Sequence, residues 1–169
     1  MNRSAANLFW LLLVFAPSIA WALSSDREQP IHIRAASVEI NEKTGVSVYT
    51  GDVNVTQGSM ELTAEELIVY HENGEVNRME GEGKPATFRQ QPDGAAHEVR
   101  GEALRIEYDA DAEKAYLVGQ GHVWRGNDEF LGERIVFDTV ESIVHATSGD
   151  DDRVRAVIQP RKDKENDSP

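Results

Sequence analysis

Between residues 50 and 88 the apolar positions recur every second residue, in short runs bounded by glycine, asparagine or aspartate. Val53 and Val55 alternate with Asp52, Asn54 and Thr56. Gln57-Gly58-Ser59 reads as a turn. Met60 and Leu62 alternate with Glu61 and Thr63, and Leu67 and Val69 carry the apolar face on after Ala64. Period-two alternation in runs this short predicts half-buried antiparallel strands. Only residues 64–70 have helical spacing, and that stretch is too short and too rich in β-branched and aromatic side chains to stand as a helix. The pattern predicts an all-β chain.

The unit recurs. A small residue is followed three and five positions later by apolar ones: Ala35 with Val38 and Ile40, Ala64 with Leu67 and Val69, Gly101 with Leu104 and Ile106, and Gly132 with Ile135 and Phe137. Glutamate follows the small residue in the last three copies (Glu65, Glu102, Glu133), and Ala36 does in the first. Each copy then passes through a polar turn into a second apolar strand that is expected to end at a glycine: Gly51, Gly81, Gly119, Gly149. The copies fall at unequal intervals. Such a hairpin-like unit stacks on its neighbours to share one continuous core.

The flanks complete the sheet. Pro30 leads into a short strand, Ile31-His32-Ile33-Arg34, and residues 153–159 form a last strand ended by Pro160. Asn73-Gly74 signals a tight hairpin. Pro85 marks a strand start or a bulge, since it cannot donate to a ladder. Leu104, Ile106 and Tyr108 are expected on one face. Gly81-Glu82-Gly83 and Gly119-Gln120-Gly121 precede neither a helix nor Lys-Ser/Thr, so they read as sheet corners or bulges and not as phosphate loops.

Residues 1–22 are a separate object: Arg3, an apolar run from Leu8 to Ile19, then Ala20-Trp21-Ala22. This is the layout of a bacterial secretory signal peptide cleaved after Ala22, and the apolar run is too short to span a bilayer. The expected product is an exported, periplasmic body over residues 23–160 with a charged, disordered tail over 161–169. No cysteine occurs, which removes disulfides, thiol chemistry and a lipoprotein anchor. The chain carries a formal net charge of −13. That argues against nucleic-acid partners and against a broad basic patch for anionic membranes. A phosphate-bearing ligand would have to be gripped by its apolar part.

Catalytic chemistry is not legible. His32, His71, His97, His122 and His145 are scattered without metal-ligand spacing. Asp150-Asp151-Asp152 lacks the spacing of a calcium loop, and there is no nucleophile elbow. One glutamate per repeat is not an acid/base pair. The reading is no catalytic residue, no metal and no cofactor: a binding or scaffold protein. The first and last strands would lie at opposite ends of the roll, exposing unpaired edges open to strand addition. Joining last edge to first is a heterologous contact that does not close and would build filaments.

Three motifs then carry a resemblance: Gln29-Pro30-Ile31-His32-Ile33, Thr50-Gly51-Asp52-Val53-Asn54-Val55-Thr56-Gln57-Gly58, and Gly83-Lys84-Pro85-Ala86-Thr87-Phe88. With the leader ahead of them, the chain over about residues 23–160 resembles the LptA (OstA-like) family of Gram-negative lipopolysaccharide transport. The resemblance implies an open, twisted, V-shaped β-jellyroll of antiparallel strands, with lipid A acyl chains in a groove between its sheets and molecules stacked end to end. It also implies LptC at the N-terminal edge and LptD at the C-terminal edge. By motif the groove takes Ile31, Ile33 and Phe88; alternation adds Val38, Ile40, Val55, Leu67, Leu104, Ile106, Tyr108 and Phe137. The edges are Ile31, His32 and Ile33 at one end and Arg153, Val154, Arg155, Ala156, Val157 and Ile158 at the other. No ATP motif is present, so the energy for transport must come from a partner. Two other readings stay open from the residues: a structural or adhesive repeat protein with no lipid, and a closed-barrel carrier of a small apolar ligand.

Overall fold

The structure is a computed structural model that describes residues 26–149 and 153–160; the leader, the triple aspartate and the tail lie outside them. A single 3-10 turn, Asp26–Glu28, precedes ten strands: β1 His32–Arg34, β2 Ser37–Asn41, β3 Val46–Gln57, β4 Met60–Glu72, β5 Glu75–Gln90, β6 Val99–Asp109, β7 Lys114–Arg125, β8 Asp128–Asp138, β9 Ile143–Thr147 and β10 Arg155–Val157. All pair antiparallel in one open sheet. Its order follows the chain from β3 to β8; β1 and β2 share β3 at one edge, and β9 and β10 share β8 at the other.

The stretches read from sequence as separate short strands are continuous long ones. Each of the five ladders from β3 to β8 shifts register near its middle: at Thr50/Val53, Thr63/Glu66, Glu82/Ala86, Glu102/Arg105 and Val118/Gly121. The extra residues sit on the odd strands. Gly51-Asp52 of β3 and Gly119-Gln120 of β7 each place two successive residues at positive φ, a path that glycine opens at little steric cost. Gly83, Lys84 and Pro85 fill the same place in β5, where Lys84-Pro85 is cis. Bulges strengthen twist and bend a strand. Aligned across the sheet, they fold it over on itself. Gly51, Gly81 and Gly119, expected as strand ends, lie inside strands at or beside this bend.

The fold-over produces two half-sheets whose inner faces meet. Along the bend the inward residues are small: Val53 beside Ala64, Ala86 beside Ala103, Gly121 beside Gly132. One step out, an apolar row crosses the first half: Ile33, Val55, Leu62, Phe88, Gly101, Val123, Phe130, Ala156. A matching row crosses the second: Val38, Tyr49, Leu67, Gly81, Ile106, Leu117, Ile135, Ala146. The rows interlock at their glycines. A Cβ on Gly81 would come within 3.0 Å of Leu62 Cδ2, and one on Gly101 within 2.5 Å of Leu117 Cδ2. Each glycine thus leaves room for a leucine of the opposite half.

The outer faces are polar. Glu61 accepts hydrogen bonds from Asn54 Nδ2 at 2.6 Å and from Arg89 Nε. These two partners, the Asn54 bond first, hold its carboxyl below the usual glutamate range. Arg89 also reaches Glu98, Arg105 pairs with Glu107 and Arg78 with Glu80. Partly exposed pairs of this kind contribute about 0–1 kcal/mol each.

Two outcomes follow from this packing. Gly132→Ala would set a Cβ 2.8 Å from the Thr147 backbone oxygen, so it should lower unfolding stability by about 1–3 kcal/mol in urea titration. Gly149→Ala, whose Cβ meets nothing nearer than 3.8 Å, should stay within about 0.5 kcal/mol. Because the Glu61 pKa is lowered on folding, its contribution is present above the unfolded pKa and lost as pH falls through the folded one. Glu61→Gln should therefore flatten the acid limb of the stability–pH curve below the ordinary glutamate range and leave its shape near neutrality unchanged.

Candidate functional site: the apolar interior and its two edges

The residues expected to line a groove fall into three groups. Val55, Leu67, Phe88, Ile106, Tyr108 and Phe137 are all buried between the half-sheets. Phe88 of the first half meets Phe137 of the second with ring centroids 6.2 Å apart. Ile31 and Ile33 pack against this core while partly exposed at the first edge. Val38 and Ile40 stand on the inner face, opposite Tyr49 and Ser47, but at the open edge, so they remain 51% and 62% exposed.

Leu104 is a correction. It does not share a face with Ile106 and Tyr108: it is the single β6 residue opposite the Gly83-Lys84-Pro85 bulge, and it is 46% exposed. The alternation resets there, so Val99, Gly101 and Ala103 point inward before the bulge and Ile106 and Tyr108 after it. The small residue of the third repeat is therefore Ala103, not Gly101, with Ile106 and Tyr108 three and five positions on. Leu104 occupies the place that Glu65 holds in β4 and Glu133 in β8.

Alternation put Met60, Leu62, Val69 and Ile135 on the apolar face but not in the groove, and it passed over Met79, Val99, Leu117 and Val123; all eight point inward and are buried. The same alternation marks them, once its phase is allowed to reset at each bend. Their environment is hydrocarbon. Among the described residues no three His, Asp or Glu side chains gather as a metal site would need.

Away from the bend, where the half-sheets part, the lining turns polar. Gln57 and Gln90 are buried at the strand ends of the first half and Thr139 at the end of β8. A cavity of about 260 Å³ lies there, lined by Asp26, Gln90, Asp93, Tyr108, Glu113, Thr139 and Val140. At the far edge Arg153, Val154, Arg155, Ala156, Val157 and Ile158 are all exposed; the strand formed there, β10, is only three residues long and pairs with β8 alone. At the near edge His32 pairs with Thr56 of β3.

The comparisons with known proteins agree with this geometry. The lipopolysaccharide export system protein LptH of Pseudomonas aeruginosa is 37% identical over 163 residues, covering 92% of this chain and 93% of that protein. The export system protein LptA of Escherichia coli K12 is 31% identical over 170 residues, covering 98% and 91%. The crystal structure of LptH, the LptA homologous periplasmic component of the conserved lipopolysaccharide transport device from P. aeruginosa, superposes with a TM-score of 0.76 at 36% identity, over 81% of this chain and all of that one. The family model described as LptA/(LptD N-terminal domain) LPS transport protein matches residues 32–143, from β1 to the first residue of β9. With an open V-shaped sheet, an apolar interior and a match of this extent, the chain belongs to the LptA/LptD N-terminal-domain family of lipopolysaccharide transport proteins.

Proposed function

We propose that this protein is a periplasmic lipopolysaccharide carrier that bridges the inner and outer membranes, shielding lipid A acyl chains between its half-sheets and stacking end to end. The observation that carries this reading is the run of the apolar rows. They cross every strand from one unpaired edge to the other, from Ile33 and Val38 to Ala156 and Ala146. A second copy added at either edge would extend the same rows, so an apolar path could pass from molecule to molecule without meeting water. Ile31, Ile33, Val38, Ile40, Val55, Leu67, Phe88, Ile106, Tyr108 and Phe137 are the proposed lining, Val38 and Ile40 at its outlet.

The leader over residues 1–22 would deliver the chain to the periplasm. LptC would meet the β1/β2 edge and LptD the β9/β10 edge, by the strand addition that open edges favour. Burial of one CH₂ is worth about 0.8 kcal/mol, so a ten-carbon chain gains about 8 kcal/mol if fully shielded. Several chains held that way would not be released. A relay therefore shields them partly and takes its direction from an energised partner. The acidic outer faces keep the phosphates of an anionic glycolipid in water.

A photoreactive amino acid at Phe88, irradiated in cells making lipopolysaccharide, should cross-link the glycolipid, and one at the exposed Glu65 should not. No cross-link at Phe88 in folded protein would leave the interior as plain core and favour a structural role. The intact mature chain should form concentration-dependent oligomers in sedimentation, lost on removing residues 153–169. A chain that stays monomeric at every concentration would sink end-to-end stacking.

A further inference from the structure

A carrier's interior has to be reachable, yet here it is sealed. Val55, Leu67, Ile106, Leu117, Ile135 and Phe137 are at most 1% exposed. On the side of the bend the seal is the chain itself: β3 to β8 run unbroken from one half into the other. On the opposite side it is a polar seam, bridged by a hydrogen bond. Arg125, at the end of β7 in the first half, donates from Nη1 to the Ser142 carbonyl at 3.1 Å, in the β8–β9 turn of the second half. The N-terminal segment lies along the same seam, held by the Asp26 carboxylate. That carboxylate accepts from Ser59 N and Ser59 Oγ, both at 2.6 Å, and from Gln90 Nε2 at 2.9 Å. Gln57 Nε2 donates to the Gln29 carbonyl at 3.1 Å. Behind this layer lies the 260 Å³ cavity that reaches Tyr108, and Gln90 Oε1 is buried there without a partner.

We propose that this polar seam is a latch: Arg125–Ser142 ties the halves of the empty carrier together, the Asp26-held segment covers the seam from the first half, and acyl chains load sideways through the seam once it parts. The inference rests on the carrier reading above. Its physical basis is the contrast between the two sides. Parting the seam breaks the Arg125–Ser142 hydrogen bond, whose groups water or a glycolipid headgroup can satisfy again. Parting the bend would break covalently continuous strands, and separating the interlocked rows without lipid would expose hydrocarbon to water. The unpartnered Gln90 oxygen marks a layer that is not fully satisfied when closed, as a seam that must open would be. Closing also hides the apolar rows of an unloaded molecule from non-specific association.

The chain has no cysteine, so Arg125→Cys with Ser142→Cys provides a unique pair for a short bismaleimide containing a cleavable disulfide. The mature chain is then titrated with purified hexa-acylated lipid A and followed by native mass spectrometry, with circular dichroism reporting that the tethered protein is folded. The latch predicts that wild type and the untethered double variant bind, that the tether weakens binding at least tenfold, and that reductive cleavage restores it. Arg125→Ala should load several-fold faster than wild type. If the tethered protein binds lipid A as wild type does, loading runs along the sheet ends and the latch is wrong. If wild type binds no lipid A, the carrier reading itself falls, and the latch with it.

Discussion

The phase reset shared by six consecutive strands is the constraint on which the rest of the molecule depends. An antiparallel sheet has two faces, and side chains alternate between them without exception unless a bulge intervenes. Here one strand of each ladder from β3 to β8 carries extra residues at the same level of the sheet. Everything on one side of that line forms one half, and everything on the other forms the second. Because the shifts are aligned, the halves turn toward each other together and the inward face stays inward across the fold. A bulge missing from a single strand would send half of that strand's apolar side chains to the solvent side.

Side-chain size follows from the same constraint. A folded sheet leaves least room at the crease, where alanine and glycine stand, and more room further out, where leucine, phenylalanine, isoleucine and methionine fill it. The two glycine–leucine pairs are the points at which one half is shaped by the other. Gly81 is vacant because Leu62 occupies its space, and Gly101 because Leu117 does. These glycines lie within regular strand and owe their place to an opposing side chain, whereas Gly51 and Gly119 owe theirs to backbone path.

Much of this was legible in the chain. Alternation named the strands, Asn73-Gly74 and Gly58-Ser59 named turns that the structure retains, and the G-x-G pairs read as corners. Three family motifs pointed to the V-shaped jellyroll and to lipopolysaccharide transport. The bulges themselves were not legible, for a physical reason. A bulge residue is defined by what lies opposite it, so Leu104 looks like any other apolar residue in an alternating run until Gly83, Lys84 and Pro85 are placed beside it. The glycines at Gly51, Gly81 and Gly119 misled in the same way. A turn and an in-strand bend both favour glycine, and local sequence does not separate them. Nor does alternation tell an edge from a centre. Val38 and Ile40 carry the inward pattern of Leu67 and Val69 yet stand uncovered, because among the described residues no strand follows β2 outward.

The order of strands in the sheet, which matches their order in the chain from β3 to β8, bears on how the molecule assembles. From β3 to β8 each strand pairs with the one made just before it, through a short turn or, between β5 and β6, the loop 91–98, so no long strand waits for a distant partner to be synthesised. Contacts this local lower the entropic cost of closing each successive loop and favour rapid folding for an all-β chain. A polypeptide emerging from its N-terminus can add hairpins one at a time to a growing sheet, and β9 and β10 complete the structure only at the end. Until they arrive, β8 is a bare template, and the growing end of the nascent sheet is the same end at which the finished one remains open.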